Sequence, residues 1–153
     1  MRRDIHVRPY TAADREACLA VFDSNVPRYF IRAERDTFAK FLDELPGPYL
    51  VIEDDDGNVV GCGGYAQGEE PGRADLCWGM VRQDKHRRGF GRTLIHARID
   101  AAKRDAAVRV IALNTSQHTT GFYERFGFHV TGREPDGYGP GLDRCEMRLE
   151  LKR

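Results

Sequence analysis

The chain has 153 residues, with 24 Lys or Arg balancing 24 Asp or Glu, so it carries no formal net charge. That length suits one domain with its own core and is short for two, so residues 1–153 are expected to form a single domain. The balanced charge gives no general pull toward nucleic acid or a membrane surface, and any charge argument has to be local.

The opening segment "MRRDIHVRPYTAADRE" has two arginines but no apolar run behind them, which argues against an export signal. Within it, "DIHVRPY" reads as a short strand with Ile5 and Val7 on one face. "TAADREACLAVFD" follows as a helix, with Thr11 at its N-cap and Ala17, Leu19, Ala20, Val21 and Phe22 as apolar surface. "RAERDTFAKFLDEL" is a second helix, with Phe38, Phe41, Leu42 and Leu45 at helical spacing, and "PGP" stops it.

The period then changes to two. "YLVIEDDDGNVVGCGGYAQ" reads as two strands joined by an Asp/Gly/Asn turn, and "ADLCWGMV" adds a third strand to the meander. A helix is expected from Gly89 to about Lys103, with Phe90, Leu94, Ala97 and Ala101 on one stripe, Ile95, Ile99 and Ala102 beside it, and Arg98 interrupting the apolar arc. "VRVIALNTS" is a buried central strand, and "TTGFYERFGF" a short helix ending at Gly127. Two last strands, about Phe128 to Arg133 and Leu142 to Leu151, flank a loop "EPDGYGPG". The order predicts an α+β fold: a mixed, mostly antiparallel sheet of about six to seven strands with helices on both faces.

No CxxC pair and no HExxH-type spacing is present, and "EDDDGN" lacks the spaced ligands and distal Glu of a calcium loop, so no metal is expected. Four scattered cysteines, no export signal and no apolar span favour the cytoplasm. Chemistry concentrates in "WGMVRQDKHRRGFGRTLIHARID", where Lys85, His86, Arg87, Arg88 and Arg92 surround Gly89 and Gly91 at a strand-to-helix junction. A helix start exposes backbone N–H groups and about half a positive charge, and glycines let an anion approach the main chain. A phosphate suits that end. A Walker loop would need GxxxxGK[ST], and a dinucleotide fingerprint a third glycine where Leu94 stands.

On these residues the segment "VRQDKHRRGFGRTLI" resembles the acetyl-coenzyme A motif [RQ]xxGx[GA] of the GNAT superfamily of N-acetyltransferases. Gly89 and Gly91 match, Val81 stands at the usual distance before them, and His86 replaces the Arg or Gln. Downstream, "LNTSQHTTGFYERFGF" is similar to the family's later block with its FYxxxGF helix. Many members have Asn seven residues before that Tyr; here Ser116 holds the position, with Asn114 two residues earlier, so either could meet the coenzyme.

The resemblance implies a GNAT-like fold and direct acetyl transfer from acetyl-CoA to a primary amine in a ternary complex. Main-chain groups of Met80 and Val81 would hold the pantetheine arm like an added strand. Residues His86, Arg87, Arg88, Gly89, Phe90, Gly91 and Arg92 would wrap the pyrophosphate, and a backbone N–H near the strand would face the thioester oxygen. Tyr123 corresponds to the tyrosine that protonates the departing thiolate, since a phenol with a pKa of about 10 stays protonated at neutral pH. For the base, Asp75 lies nearest in sequence to the working strand, with Glu34, Glu53, Glu69 and Glu70 as alternatives. The acceptor is a small-molecule or peptide amine, with residues 24–45 and 134–142 expected to shape its pocket, and a homodimer is compatible with the family. A coenzyme-binding or sensing module without turnover is the alternative reading.

Overall fold

A computed structural model describes residues 5–152. Arg2 and Arg3, the two arginines weighed and rejected as an export signal, and Asp4 of the first expected strand lie outside them. The elements are β1 (His6–Pro9), α1 (Arg15–Ser24), α2 (Arg35–Glu44), β2 (Tyr49–Glu53), β3 (Val59–Gln67), β4 (Arg73–Val81), α3 (Phe90–Lys103), β5 (Val110–Thr115), α4 (Thr120–Glu124), β6 (His129–Gly139) and β7 (Leu142–Glu150). They build one seven-stranded sheet in the order β1-β2-β3-β4-β5-β7-β6. Every neighbouring pair is antiparallel except β4 and β5. The mixed α+β sheet expected from the sequence is what the chain forms.

Alternation along the strands sorts the core into two layers. Tyr49 and Val51 of β2 face α1 and α2, where they meet Cys18, Val21, Phe22, Phe38 and Leu42. Ile52 faces the other way, onto Phe90 and Leu94 of α3. Farther along that second face, Ile95, Ile99 and Ala102 pack on Ala74, Leu76, Ile111 and Leu113. In α1 Leu19, Val21 and Phe22 are buried as the sequence suggests and Cys18 joins them, while Ala17 is half-buried and Ala20 is exposed. Thr11 does cap, but it caps a single 3-10 turn, Ala12–Asp14, that leads into α1; its N–H donates to Asp14 Oδ2 at 2.8 Å.

The segment read as the loop "EPDGYGPG" is largely strand. β6 runs on to Gly139, with a shift of register between the pairs Glu134↔Arg144 and Gly139↔Leu142. Carboxylates replace missing ladder contacts there: Asp143 Oδ1 accepts from the Asp136 N–H at 2.9 Å, and Asp136 Oδ1 accepts from the Gly141 N–H at 2.7 Å. Arg133 and Asp143 form an ion pair across the hairpin.

The parallel pair positions the site. β4 and β5 are joined only from Arg73↔Val110 to Asp75↔Ala112. Beyond those pairs, β4 continues to Val81 along β3, and β5 continues to Thr115 along β7. The sheet therefore opens into a wedge whose two walls are strand edges.

Candidate active site

A bulge shapes the β4 wall. Cys77 pairs with Gly64 and Met80 with Cys62, so Trp78 and Gly79 together oppose Gly63. The extra residue reverses the alternation of faces. Ala74 and Leu76 point to the α3 layer, whereas Trp78 and Met80 point to the α1–α2 layer. Trp78 adopts φ +43, a left-handed conformation that costs a non-glycine residue about 1–2 kcal/mol. Packing offsets that cost: the indole lies 5.1 Å from the Phe38 ring and 6.0 Å from Phe30, and the Tyr49 hydroxyl donates to the Trp78 carbonyl at 2.8 Å. Trp78 is thus core, and so is Tyr49 behind it.

The end of β4 is clamped from α1. The Asn25 side-chain amide donates to the Val81 carbonyl at 3.0 Å, and Ser24 Oγ accepts from the Gln83 N–H at 3.0 Å. His86 Nε2 also reaches the Val81 carbonyl, at 2.8 Å, which requires the Nε2–H tautomer. Its ring meets Tyr29 edge-on at 5.1 Å, and Tyr29 meets His118 at 6.1 Å. Three loops from three connections converge through these rings. Met80 is committed to the ladder opposite Cys62, and Val81 stands opposite Gly61.

At the glycine turn Arg87 has φ +66 and Gly89 φ +88, and Gly89 is the N-cap of α3. The first bond of the helix is Thr93 N–H to the Gly89 carbonyl at 3.1 Å. The N–H groups from Arg87 through Arg92 donate to no oxygen among the described residues. A carbon placed on Gly89 would meet nothing within 4 Å, so the space in front of these amides is open. Arg87, Arg88 and Arg92 are exposed and make no ion pair among the described residues. Phe90 differs: its side chain is buried among Ile52, Val60 and Leu94, which leaves only its main chain for a ligand. Gly91 permits close packing, since a carbon there would lie 3.3 Å from the Phe122 ring.

On the β5 wall Ser116 is 4% exposed, and its hydroxyl accepts from the His118 N–H at 3.3 Å, holding the turn into α4. Asn114 is exposed and opposite Glu146 in the ladder. Tyr123 is half-buried, its ring 5.1 Å from Phe122 and 5.9 Å from Phe128, and its hydroxyl bonds to none of the described residues. A groove of about 950 Å³ runs from Arg92 between α3 and α4, with His96, Phe122, Arg125 and Phe126 along it.

The acidic residues separate clearly. Asp75 sits in the closed part of the ladder opposite Ala112, and Arg73 Nε holds its carboxylate at 2.6 Å. Glu34, at the entrance to α2, has no cation partner among the described residues; burial raises its carboxyl above the ordinary range, partly opposed by the Ile31 N–H that it accepts at 3.1 Å. Burial likewise raises Tyr138 near the end of β6, and the Glu34 charge adds to the effect. Ile31 lies against Gly139, so the α1–α2 connection and the β6–β7 hairpin meet here. Asn25, Tyr29 and Tyr138 were not singled out by sequence, because none belongs to a spaced motif. Among the described residues no cluster of His, Cys, Asp and Glu could hold a metal ion.

An acetyltransferase (GNAT) domain model matches residues 18–151. Among solved structures, a GNAT-family protein from Desulfovibrio desulfuricans superposes with a TM-score of 0.80 at 23% identity, covering 97% of this chain and 100% of that one. A GCN5-related N-acetyltransferase from Kribbella flavida gives 0.77 at 24%, covering 96% and 98%. The protein yncA from Salmonella typhimurium, solved with its cofactor acetyl-CoA, gives 0.74 at 20%, covering 99% and 96%. No match was found among the curated proteins. A wedge beside a strand bulge, open amides at a glycine turn and a family match over most of the chain lead to one conclusion: this protein belongs to the GNAT acetyltransferase family.

Proposed function

We propose that the whole chain is one catalytic domain that transfers an acetyl group from acetyl-CoA to a primary amine, with both substrates bound together. The observation that carries the reading is the row of unbonded amides from Arg87 to Arg92, facing open space at the head of α3. A diphosphate there gains several charge-assisted hydrogen bonds, and Arg87, Arg88 and Arg92 add charge without fixing one geometry. The groove from Arg92 past Phe122 and Arg125 suits a purine and a further phosphate. The edges of β4 and β5 left unpaired by the wedge suit an extended amide-bearing arm added as a strand. The Val81 carbonyl already has Asn25 and His86 as donors, so the arm takes that carbonyl only by replacing His86.

Bound acetyl-CoA supplies a thioester, and a neutral amine nitrogen bonds to its carbonyl carbon as the carbon–sulfur bond breaks. Tyr123 holds the proton for the departing sulfur on a hydroxyl that has no competing partner among the described residues. For the amine proton, Glu34 suits the role better than Asp75: burial raises the Glu34 carboxyl above its ordinary range, which makes it a better proton acceptor, while Asp75 is held in an ion pair by Arg73. Free thiols at Cys18, Cys62, Cys77 and Cys145 accord with a reducing cytoplasm, and no helix of the described residues is long and apolar enough to cross a membrane.

The test is a broad amine screen with free-thiol detection, run beside calorimetry on acetyl-CoA with the unmodified protein and Gly89→Asp. Transfer to an amine, with binding abolished by Gly89→Asp, supports the reading. Binding without transfer to any amine favours a coenzyme-binding module, and full affinity in Gly89→Asp means that the phosphates lie elsewhere.

A further inference from the structure

Arg98 breaks the apolar stripe of α3, yet it is 3% exposed. Its guanidinium lies under the β3–β4 ladder at the bulge. Nε and Nη2 donate to the Gly64 carbonyl at 3.3 and 3.2 Å, and Nη2 donates to the Cys77 carbonyl at 3.3 Å. Absent side chains make the room: a carbon on Gly79 would stand 2.2 Å from Nη1, and one on Gly63 2.9 Å from Cζ. Among the described residues no carboxylate pairs with it. The titratable groups that face it are Tyr49 and Cys77, both raised first by burial and both lowered by the Arg98 charge; Asp75 acts on Cys77 in the opposite sense.

Withdrawing a guanidinium from water without a counter-ion is costly. Long hydrogen bonds to neutral carbonyls recover only part of that. An apolar side chain of equal length would fill the space without the penalty. A buried cation without an anion is a preorganised charge, and its effect is greatest where negative charge develops nearby in a water-poor site. The opening beside it is the wedge, since Cys77 and Gly79 belong to the stretch of β4 that has left β5.

We propose that Arg98 is a positioning residue for acetyl transfer: it pins the β4 bulge through the Cys77 carbonyl, and its uncompensated charge favours negative charge in the wedge. This role rests on the acetyltransferase reading. It asks nothing of Arg98 by way of contact with either substrate. Tyr49 completes the device from the other layer, because its hydroxyl fixes the next carbonyl, that of Trp78.

Three measurements test it. In the unmodified protein, the affinity for coenzyme A relative to desulfo-coenzyme A should rise between about pH 6.5 and 9, because the wedge favours thiolate over thiol. A flat ratio overturns the role. Alkylation of Cys77 by iodoacetamide, read by peptide mass spectrometry, reports the charge with no coenzyme present. Its pH midpoint should move up by about one unit in Arg98→Met and stay near its original value in Arg98→Lys. An unmoved midpoint in a folded Arg98→Met overturns the role, and Arg98→Gln replaces that variant if it does not fold. Turnover in Arg98→Met should fall by about 10- to 1000-fold, with acetyl-CoA affinity within about threefold and partial recovery in Arg98→Lys. Lysine no better than methionine overturns the role as well. Absence of any coenzyme binding removes the acetyltransferase reading and this role together, whereas a bound coenzyme with an unmoved Cys77 removes only the role.

Discussion

Asn25 ties α1 to the last residue of β4: its side-chain amide donates to the Val81 carbonyl at 3.0 Å and to the Val21 carbonyl at 2.9 Å. The residue is 2% exposed, so neither bond competes with water. Asn25→Ala leaves two carbonyls with fewer donors and a small void. It is expected to cost about 1–3 kcal/mol in denaturant unfolding and to weaken acetyl-CoA binding, as the β4–α3 connection loosens. Unchanged stability would show that the clamp is redundant with Ser24 and His86.

A second anchor gives a pH dependence. Arg8 donates twice to Asp14, at 2.8 Å each, and also meets Glu53 at 3.1 Å. The bonds from Arg8 first, and then the Thr11 N–H, hold the Asp14 carboxyl below its ordinary range against the effect of burial. A lowered folded pKa contributes stability that is present above the unfolded value of about 3.9 and is lost as pH falls through the folded value. Asp14→Asn should therefore destabilise the protein by about 1–3 kcal/mol at neutral pH and flatten the stability curve below about pH 4. Parallel curves for the two proteins would contradict this.

Tyr123→Phe removes one oxygen and keeps the packing on Phe122 and Phe128. Because that oxygen bonds to nothing among the described residues, thermal stability should barely change. Turnover should drop by about 100-fold or more, with acetyl-CoA affinity unaltered in calorimetry. Equal turnover would return Tyr123 to a packing role.

In the proposed reaction, Glu34 as the base sets the acid limb of activity. A base works only when deprotonated, and burial raises this carboxyl above the ordinary carboxylate range. The rate at low substrate should fall as pH drops through that raised value, earlier than an exposed glutamate would allow. In Glu34→Gln that limb should vanish along with most of the rate, as read from kcat/KM profiles. The same limb surviving in Glu34→Gln would assign the base elsewhere.

Much of the fold was legible because its signals are local and periodic. The order of elements, the hairpin at Asp54–Asn58 and the Gly89 helix start follow from alternation, turn residues and N-cap chemistry, and the structure has them in place. What stayed hidden depends on partners far away in sequence. "ADLCWGMV" reads as a plain strand, because the bulge at Trp78 is stabilised by Phe38 and Tyr49 from other elements. The β6 extension is hidden behind Gly and Pro residues and rests on the Asp136 and Asp143 carboxylates. In the site, the glycine turn was visible, while the Arg73 contact of Asp75 and the burial of Glu34, on which the proposed choice of base rests, are not encoded in spacing.

The most direct test of the central claim is an amide NMR titration with acetyl-CoA. The N–H resonances of Arg87 through Arg92 should shift most and gain protection from hydrogen exchange, since they are the donors left open at the head of α3. Binding that leaves those six resonances in place, or no binding at all, would contradict the account.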